Sequence, residues 1–215
     1  MLCSVPAGRR GRPSKSLTLD QAEAVLKASE KSPLHAYIVL SLLTGARTEE
    51  LRALRWCHVD LAGNPDLTPP VPPSIAIWRS VRAGGDTKTR KSRRTLAMAQ
   101  RCVAAASAPM PARAKCDCLV FASRTGTQLD RHNVRRSFRT AVAAAGLTAR
   151  DWAPRELRHS FVSLLSDDGV PLENIARLVG HRTTTVTETV YRQQLGPVIE
   201  DAATAMNRIF PAHDA

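Results

Sequence analysis

The sequence lacks any hydrophobic segment long enough to cross a bilayer, which takes roughly 20 apolar residues. Its longest apolar run, around Tyr37 to Leu43, is much shorter and favours a buried helix. The segment from Met1 to Arg12 also lacks the apolar core of a secretory signal peptide. These absences argue against a membrane protein and predict a cytoplasmic one.

Cysteines are too few and too scattered for a disulfide framework. There are five, Cys3, Cys57, Cys102, Cys116 and Cys118, and an odd number with irregular spacing is not typical of disulfide scaffolds. Cys116 and Cys118 are close together, but a structural zinc site usually combines two cysteine or histidine pairs, and no second pair lies nearby. We therefore expect reduced thiols and no metal, with a metal site as the alternative.

Acidic residues are scarce relative to basic ones. The 215 residues include 31 Lys and Arg against 19 Asp and Glu, a net charge of +12. This surplus predicts a polyanionic partner, nucleic acid first and an acidic membrane surface second.

Apolar residues make up 43% of the chain, enough for a real core, and the length fits one large domain or two small ones.

Residues 154–191 carry side chains suited to chemistry on a phosphate. They are two arginines one helical turn apart, a histidine beside the second, and a histidine and a tyrosine farther on: Arg155, Arg158, His159, His181 and Tyr191. Guanidinium and imidazole groups donate hydrogen bonds to phosphate oxygens. A tyrosine hydroxyl can act as a covalent nucleophile.

The same segment also fits a helix-turn-helix DNA reader. Asp168-Gly169 interrupts one predicted helix, and Pro171 suits the first turn of another. The apolar positions of the second helix are Leu172, Ile175, Ala176 and Val179. A simple groove reader of this layout needs no lysine, carboxylate or further arginine elsewhere. The rest of the chain therefore decides between the two interpretations.

Residues 44–56, TGARTEELRALRW, place Arg47 and Glu50 at the start of a predicted helix that follows a glycine stop, with Trp56 buried. Arg47 taken alone fits a solvated arginine after a helix C-terminus, where cations are favoured.

An earlier helix is predicted to begin with a capping box formed by Thr18 and Gln21.

Residues 74–81 and 94–98 predict two strands of a β-hairpin, because apolar and polar residues alternate in part. Their connection is strongly basic: from Arg79 to Arg101 there are eight basic residues and one acidic residue. We expect most of these charges to contact DNA phosphates.

In combination, these motifs resemble the tyrosine recombinases, the phage-integrase family. Residues 44–56 match the family's first box, T-G-x-R-x-x-E-L-x-x-L-x-W, at seven fixed positions. The run LRHSF, the Gly-His pair and T-x-x-V-Y match its C-terminal box. The boxes occur in the family's order over roughly residues 17–210, which favours this interpretation over a helix-turn-helix protein. The resemblance implies a mainly α fold with a small antiparallel β-sheet, of the DNA breaking-rejoining type.

The resemblance also implies catalytic roles. Arg47 and Arg158 would clamp a DNA phosphate, His181 would donate to a nonbridging oxygen, and Tyr191 would attack to form a 3′-phosphotyrosyl link. Lys88 in the hairpin would protonate the leaving 5′-oxygen as general acid. Because the intermediate retains the bond energy, the reaction would need no ATP, metal or other cofactor.

Other residues receive supporting or DNA-contact roles. Glu50 falls on the acidic position that supports the site, and Arg155 and His159 are uncertain members of it. Lys91 is the runner-up for the catalytic lysine. The predicted DNA contacts are the basic residues of the hairpin and of a later helix over residues 130–145: Arg79, Arg82, Arg90, Lys91, Arg93, Arg94, Arg135 and Arg136.

The sequence departs from the family pattern in two places. Arg155 stands where the family usually has histidine, in H-x-L-R-H. Arginine stays protonated, so it can donate to a phosphate but cannot accept the tyrosine proton. The family's N-terminal core-binding domain is expected to be absent, with residues 1–16 forming a basic flexible arm or interdomain linker and residues 17–215 the catalytic domain.

The expected partners are double-stranded DNA and other recombinase protomers. The family forms tetramers on DNA, and we expect a monomer in free solution. A terminal helix after Pro197 has an apolar face that includes Ala202, Ala205 and Met206, and it either docks on a neighbouring protomer or folds back on its own domain. Two functions remain open: site-specific recombination and integration, or a catalytically weak DNA-binding remnant that modulates a full-length integrase.

Overall fold

Eight α-helices and one small sheet make up the part of the chain that the computed structural model describes, residues 15–81, 93–108, 117–180 and 201–211. The helices are α1 Leu19–Ser29, α2 His35–Thr44, α3 Thr48–Arg52, α4 Gln100–Ser107, α5 Arg131–Ala144, α6 Arg155–Asp167, α7 Leu172–Val179 and α8 Asp201–Ile209. The strands are β1 Val59–Asp60, β2 Ser74–Ile77 and β3 Arg94–Ala97, paired antiparallel in the order β1-β2-β3. The predicted fold class is confirmed. No described helix is both long and apolar enough to cross a membrane.

The centre of the core is α2. Its residues 36–44 are all buried, as predicted for a helix that is apolar on every side. The Thr44 hydroxyl donates to Leu40 O at 2.6 Å, so this polar group is satisfied within the core. Because α2 packs against α4 and α6 and also contacts α1 and α8, its C-terminal end is fixed relative to most of the fold.

The first helix begins at the predicted capping box. Gln21 N donates to the Thr18 hydroxyl at 3.3 Å, and Thr18 N donates to the Gln21 side-chain oxygen at 3.1 Å. One residue earlier, Leu17 N donates to Ser160 Oγ at 2.9 Å. This bond ties the start of α1 to α6, which carries the candidate site residues.

The two longer strands turn one face towards the core. Cross-strand pairing sets Ile75 opposite Leu96 and Ile77 opposite Arg94, so these four side chains share a face. All four residues are buried. The strands end sooner than predicted, at Ile77 and Ala97, and residues 82–92 of the basic connection lie outside the described part of the chain.

The helix pair α6–α7 is confirmed, with one correction to the buried face of α7. Leu172 is 66% exposed, whereas Ile175, Leu178 and Val179 are buried. The prediction for Leu172 was wrong because residues 171–173, at the start of α7, project from the core. Only the second half of the helix packs against the core, and Val179 at its end is therefore buried.

The terminal helix α8 folds back on its own domain. Ala202, Ala205, Met206 and Phe210 are buried, and α8 contacts α2, α4, α6, α7 and β3. Asn207 Oδ1 also accepts a hydrogen bond from Gln100 N, at 2.7 Å. That N–H lies in the first turn of α4, where helical N–H groups lack partners within the helix. Of the two alternatives for this helix, the chain adopts the intramolecular one.

A tight contact joins the end of α2 to α6. Gly45 ends α2 in the left-handed region, with φ of 63°, which favours glycine. A Cβ at this position would lie 2.5 Å from Phe161 Cδ1. The absence of a side chain therefore allows the Gly45 carbonyl to approach α6 closely.

We expect Gly45→Ala to destabilise the fold more than Gly146→Ala. Gly146 has a similar φ of 77° but nothing within 4 Å of its would-be Cβ, so it controls for backbone strain alone. That strain costs about 1–2 kcal/mol, and the clash with Phe161 should add about 1–3 kcal/mol at Gly45. Urea unfolding measures both variants, and equal losses would contradict the close approach.

Candidate active site

Glu50 is the buried centre of the candidate site. It lies in the first turn of α3, and Arg47 is the residue that precedes this helix. Arg47 N donates to Glu50 Oε2 at 2.8 Å, which gives one free N–H of the helix start an acceptor. Only 3% of Glu50 is exposed, so its charge needs partners within the protein.

Two guanidinium groups supply those partners. Arg47 Nη1 donates to Glu50 Oε1 at 2.7 Å. Arg94, on the inward face of β3, donates through both terminal nitrogens: Nη1 to Oε1 at 3.2 Å and Nη2 to Oε2 at 2.9 Å. The two-bond geometry of the Arg94–Glu50 pair is the strong form of an arginine–carboxylate contact.

These contacts keep Glu50 ionised. Burial by itself raises the pKa of the carboxyl group, but the charge and hydrogen bonds of Arg94, with those of Arg47, outweigh it and lower the pKa to about 2. Glu50 is therefore an anion across the neutral range, and each of its two oxygens accepts from both Arg47 and Arg94.

Arg158 joins the cluster through backbone carbonyls. Its Nη1 donates to Gly45 O at 2.6 Å, and its Nη2 donates to Val179 O. Arg47 Nη2 reaches the same Val179 carbonyl at 3.4 Å. These oxygens lie at the C-terminal ends of α2 and α7, where carbonyls lack helical partners and cations are favoured.

The cluster carries an excess of positive charge. Burial, together with the charges of Arg47 and Arg94, lowers the pKa of the Arg158 guanidinium to about 9, which still leaves it protonated at neutral pH. Among Arg47, Glu50, Arg94 and Arg158, three cations face one carboxylate. Such an arrangement favours binding of an oxygen anion.

The described residues include only part of the predicted site. Arg47, Glu50 and Arg158 come together as the first and last boxes would require. Lys88, His181 and Tyr191 lie outside the described residues. The same holds for Arg82, Arg90 and Lys91.

Two residues of uncertain role flank Arg158 on α6. Arg155 has a side chain that is 56% exposed, and its Nε donates to Glu156 Oε1 at 3.1 Å. The same carboxylate accepts from Ala153 N at 2.7 Å, so it also stabilises the entry into α6. His159 is exposed.

The placement of Arg94 corrects its predicted role. We expected a DNA contact, but the side chain is only 5% exposed and is held by Glu50. Sequence reasoning missed this partner of Glu50, although a signal existed: Arg94 and Leu96 alternate with Thr95 in the strand, and Leu96 is an obvious core residue. A surface arginine would have fitted better at the position of Thr95.

Other predicted DNA contacts lie on the surface. Arg79 and Arg93 are exposed at the ends of the two longer strands. Arg135 and Arg136 are exposed on α5 and border an open groove of about 640 Å³ along that helix. Exposure is compatible with contacts to phosphates, and the DNA contacts of these four arginines remain predictions.

We expect Glu50→Gln to cost about 3 kcal/mol of stability at pH 7, because the folded-state pKa of about 2 lies well below the ordinary 4.5. The lowered pKa stabilises the fold fully above pH 4.5, and this contribution is lost as the pH falls towards 2. The difference between the parent and Glu50→Gln should therefore shrink below pH 4.5.

Urea unfolding between pH 7 and pH 3.5 measures this difference. Asp66→Asn, which removes an exposed carboxylate, is the matched control and should stay within about 0.5 kcal/mol of the parent. A Glu50→Gln effect that is independent of pH would contradict a charged Glu50.

Comparisons with known proteins agree with the motifs and the fold. The model of the phage integrase family matches residues 15–195. An integrase of Streptomyces ambofaciens is 61% identical over 220 residues, an alignment that covers 97% of this chain and 57% of that protein. A tyrosine recombinase XerC of Yersinia pestis is 24% identical over 189 residues, covering 86% of this chain and 57% of that protein. The chain thus spans little more than half the length of these relatives.

Solved structures share the fold. XerA recombinase superposes with a TM-score of 0.62 at 20% identity, over 98% of this chain and 68% of that one. The Tn1549 transposon integrase in complex with transposon right end DNA gives a TM-score of 0.62 at 17% identity, over 95% of this chain and 64% of that one. With the family model matched over residues 15–195, this chain belongs to the phage integrase family.

Proposed function

We propose that this chain is the DNA-cleaving and rejoining part of a site-specific tyrosine recombinase that acts on double-stranded DNA. The observation that carries the proposal is the meeting of Arg47 and Arg158, from the two separate sequence boxes, at the Val179 carbonyl. Two relatives, named as an integrase and as a tyrosine recombinase XerC, support the same reaction class. The alternative, a weak DNA-binding remnant, has no such support.

The chemistry calls for fixed cations. Negative charge on a phosphodiester repels a nucleophile, and more charge develops on the phosphate oxygens during displacement. The Arg47 side chain remains 30% exposed, so it can offer further N–H donors to an oxygen anion while Glu50 holds it in place. Arg158 supplies the second guanidinium of the clamp, and His181 would donate to a nonbridging oxygen.

Tyr191 is the proposed nucleophile. The other of the two tyrosines, Tyr37, is only 1% exposed, and burial raises the pKa of its hydroxyl, which donates to Thr48 O at 3.4 Å. In the proposed step the Tyr191 oxygen bonds to phosphorus while the bond to the 5′-oxygen breaks. Lys88 gives that oxygen a proton, and the tyrosine proton passes to a base other than Arg155.

The reverse step rejoins DNA. A 5′-hydroxyl from another strand attacks the 3′-phosphotyrosyl link and releases Tyr191, so the number of high-energy bonds is conserved and no nucleotide cofactor is consumed. We propose that protomers assemble on DNA for this exchange. A lambda integrase has been crystallised as a tetramer bound to a Holliday junction, and its fold matches this chain with a TM-score of 0.56 at 17% identity.

A nicked suicide substrate tests the nucleophile. Cleavage beside the nick releases a short strand, so rejoining is blocked and the covalent protein–DNA adduct accumulates. We expect an adduct with the parent chain and none with Tyr191→Phe, which lacks only the hydroxyl and should still bind DNA in a gel-shift assay. Binding without any adduct in the parent would favour the weak-remnant alternative, and an adduct in Tyr191→Phe would place the nucleophile elsewhere.

Arg47→Ala and Arg158→Ala should each slow adduct formation by about 10²–10³-fold, the usual effect of removing one charge-stabilising donor. Arg158→Lys should restore little, because a point charge cannot donate to two acceptors in the fixed geometry of a guanidinium. Arg124→Ala removes an exposed arginine from a turn distant in sequence from both boxes and serves as the control. If the clamp variants react like Arg124→Ala, these arginines do not contact the reacting phosphate.

A further inference from the structure

Arg94 is the one member of the charged cluster that lies in neither sequence box. It belongs to β3, and its side chain is 5% exposed beside Glu50, which is 3% exposed. Both terminal nitrogens donate to the Glu50 carboxylate, at 3.2 and 2.9 Å. Placing this cation in the interior is costly unless it has a charged partner, and Glu50 supplies that partner.

The charges explain what Arg94 adds to the site. Without Arg94, the remaining cluster of Arg47, Glu50 and Arg158 would carry one net positive charge instead of two. With Arg94 present, its buried positive charge compensates the negative charge of Glu50. Arg47 and Arg158 then both keep an effective positive charge towards an anion, at a site where the surrounding protein screens charges weakly.

The geometry explains how Arg94 orients Arg47. A two-bond contact fixes the plane of the Glu50 carboxylate, and that fixed carboxylate accepts from both the N–H and the Nη1 of Arg47. Arg94 also lies against the end of α7, since a Cβ at Gly180 would be 3.4 Å from its Nη1. The neighbouring Val179 carbonyl is the acceptor shared by Arg47 and Arg158.

We propose that Arg94 is a positioning residue of the active site: its buried guanidinium offsets the charge of Glu50 and fixes that carboxylate, so that Arg47 is held ready for a DNA phosphate. The inference rests on the proposed function, because it deepens the role of the same clamp. Arg94 acts through Glu50 and does not itself contact the substrate.

A set of matched variants separates this role from a purely structural one. Arg94→Gln removes the charge, Arg94→Lys keeps the charge but loses the fixed fork, and Glu50→Gln/Arg94→Gln removes both charges together. The double variant keeps the net charge that Arg47, Glu50, Arg94 and Arg158 carry together in the parent, because it removes one cation and one anion. Each chain is assayed for the rate of adduct formation on the suicide substrate, per folded molecule, with the folded fraction taken from circular dichroism.

The proposal predicts a specific order of rates. Arg94→Gln should slow adduct formation by about 10–100-fold, the size of effect seen in metal sites when residues that orient the metal ligands are removed. Arg94→Lys should recover the part of this loss that is due to charge. The double variant should react faster than Arg94→Gln, because it restores the net charge, yet more slowly than the parent, because it lacks the carboxylate that holds Arg47. A structural role predicts parent-like rates per folded molecule, or a double variant no faster than Arg94→Gln, and either result would overturn the proposal.

A second readout does not depend on DNA cleavage. The Arg47 backbone amide donates to Glu50 Oε2, so its NMR resonance reports protonation of that carboxyl. Within the described part of the chain, the charged groups that face Glu50 are Arg47 before α3, Arg94 on β3 and, at longer range, Arg158 on α6. Arg94→Gln should raise the pH at which the Arg47 amide shifts, because the main cationic partner of Glu50 is lost.

The two readouts distinguish the inference from the function on which it rests. If the parent chain forms no adduct, the proposed function is wrong. The titration of the Arg47 amide then tests by itself whether Arg94 sets the pH at which Glu50 is protonated. If the Arg47 amide titrates identically in the parent and in Arg94→Gln, the positioning role is wrong even when the parent cleaves DNA. If Arg94→Gln does not fold, the rate of adduct formation is measured on Arg94→Lys and on the double variant instead, and the titration of the Arg47 amide is measured on Arg94→Lys.

Discussion

The buried carboxylate of Glu50 is the constraint on which the rest of the site depends. Its oxygens receive four hydrogen bonds from Arg47 and Arg94. Replacing both partners of a buried ion pair by apolar residues is often neutral for stability, because desolvation offsets the attraction, whereas removing one partner alone is costly. Its role is orientation: one carboxylate fixes two guanidiniums, and of these two Arg47 remains partly exposed.

The surrounding fold provides the places from which these charges converge. Gly45 allows the end of α2 to touch α6, and its carbonyl receives Arg158. The inward second half of α7 buries Val179 and presents its carbonyl to Arg47 and Arg158. Three helix ends and one strand thus meet, and the excess of cations at that point suits the DNA phosphate of the proposed function.

Much of this arrangement could be predicted from local spacing, and part of it could not. The capping box at Thr18, the buried helix α2 and the match of residues 44–56 depend on neighbouring residues, and their predictions are confirmed where the structure tests them. The contact between Glu50 and Arg94 joins residues 44 positions apart, so it depends on how β3 packs against α3. Leu172 was misjudged for a related reason, since helical periodicity gives a face but not the point at which the helix leaves the core.

The most direct test of the central claim is a crystal structure of the Tyr191→Phe chain with the DNA duplex that gives the covalent adduct in solution. The account predicts the scissile phosphate within hydrogen-bonding distance, about 2.7–3.2 Å, of both Arg47 and Arg158. Glu50 should still bind Arg94 in that complex. A scissile phosphate bound away from these two arginines, or an Arg94 that leaves Glu50 to contact the DNA, would contradict the account.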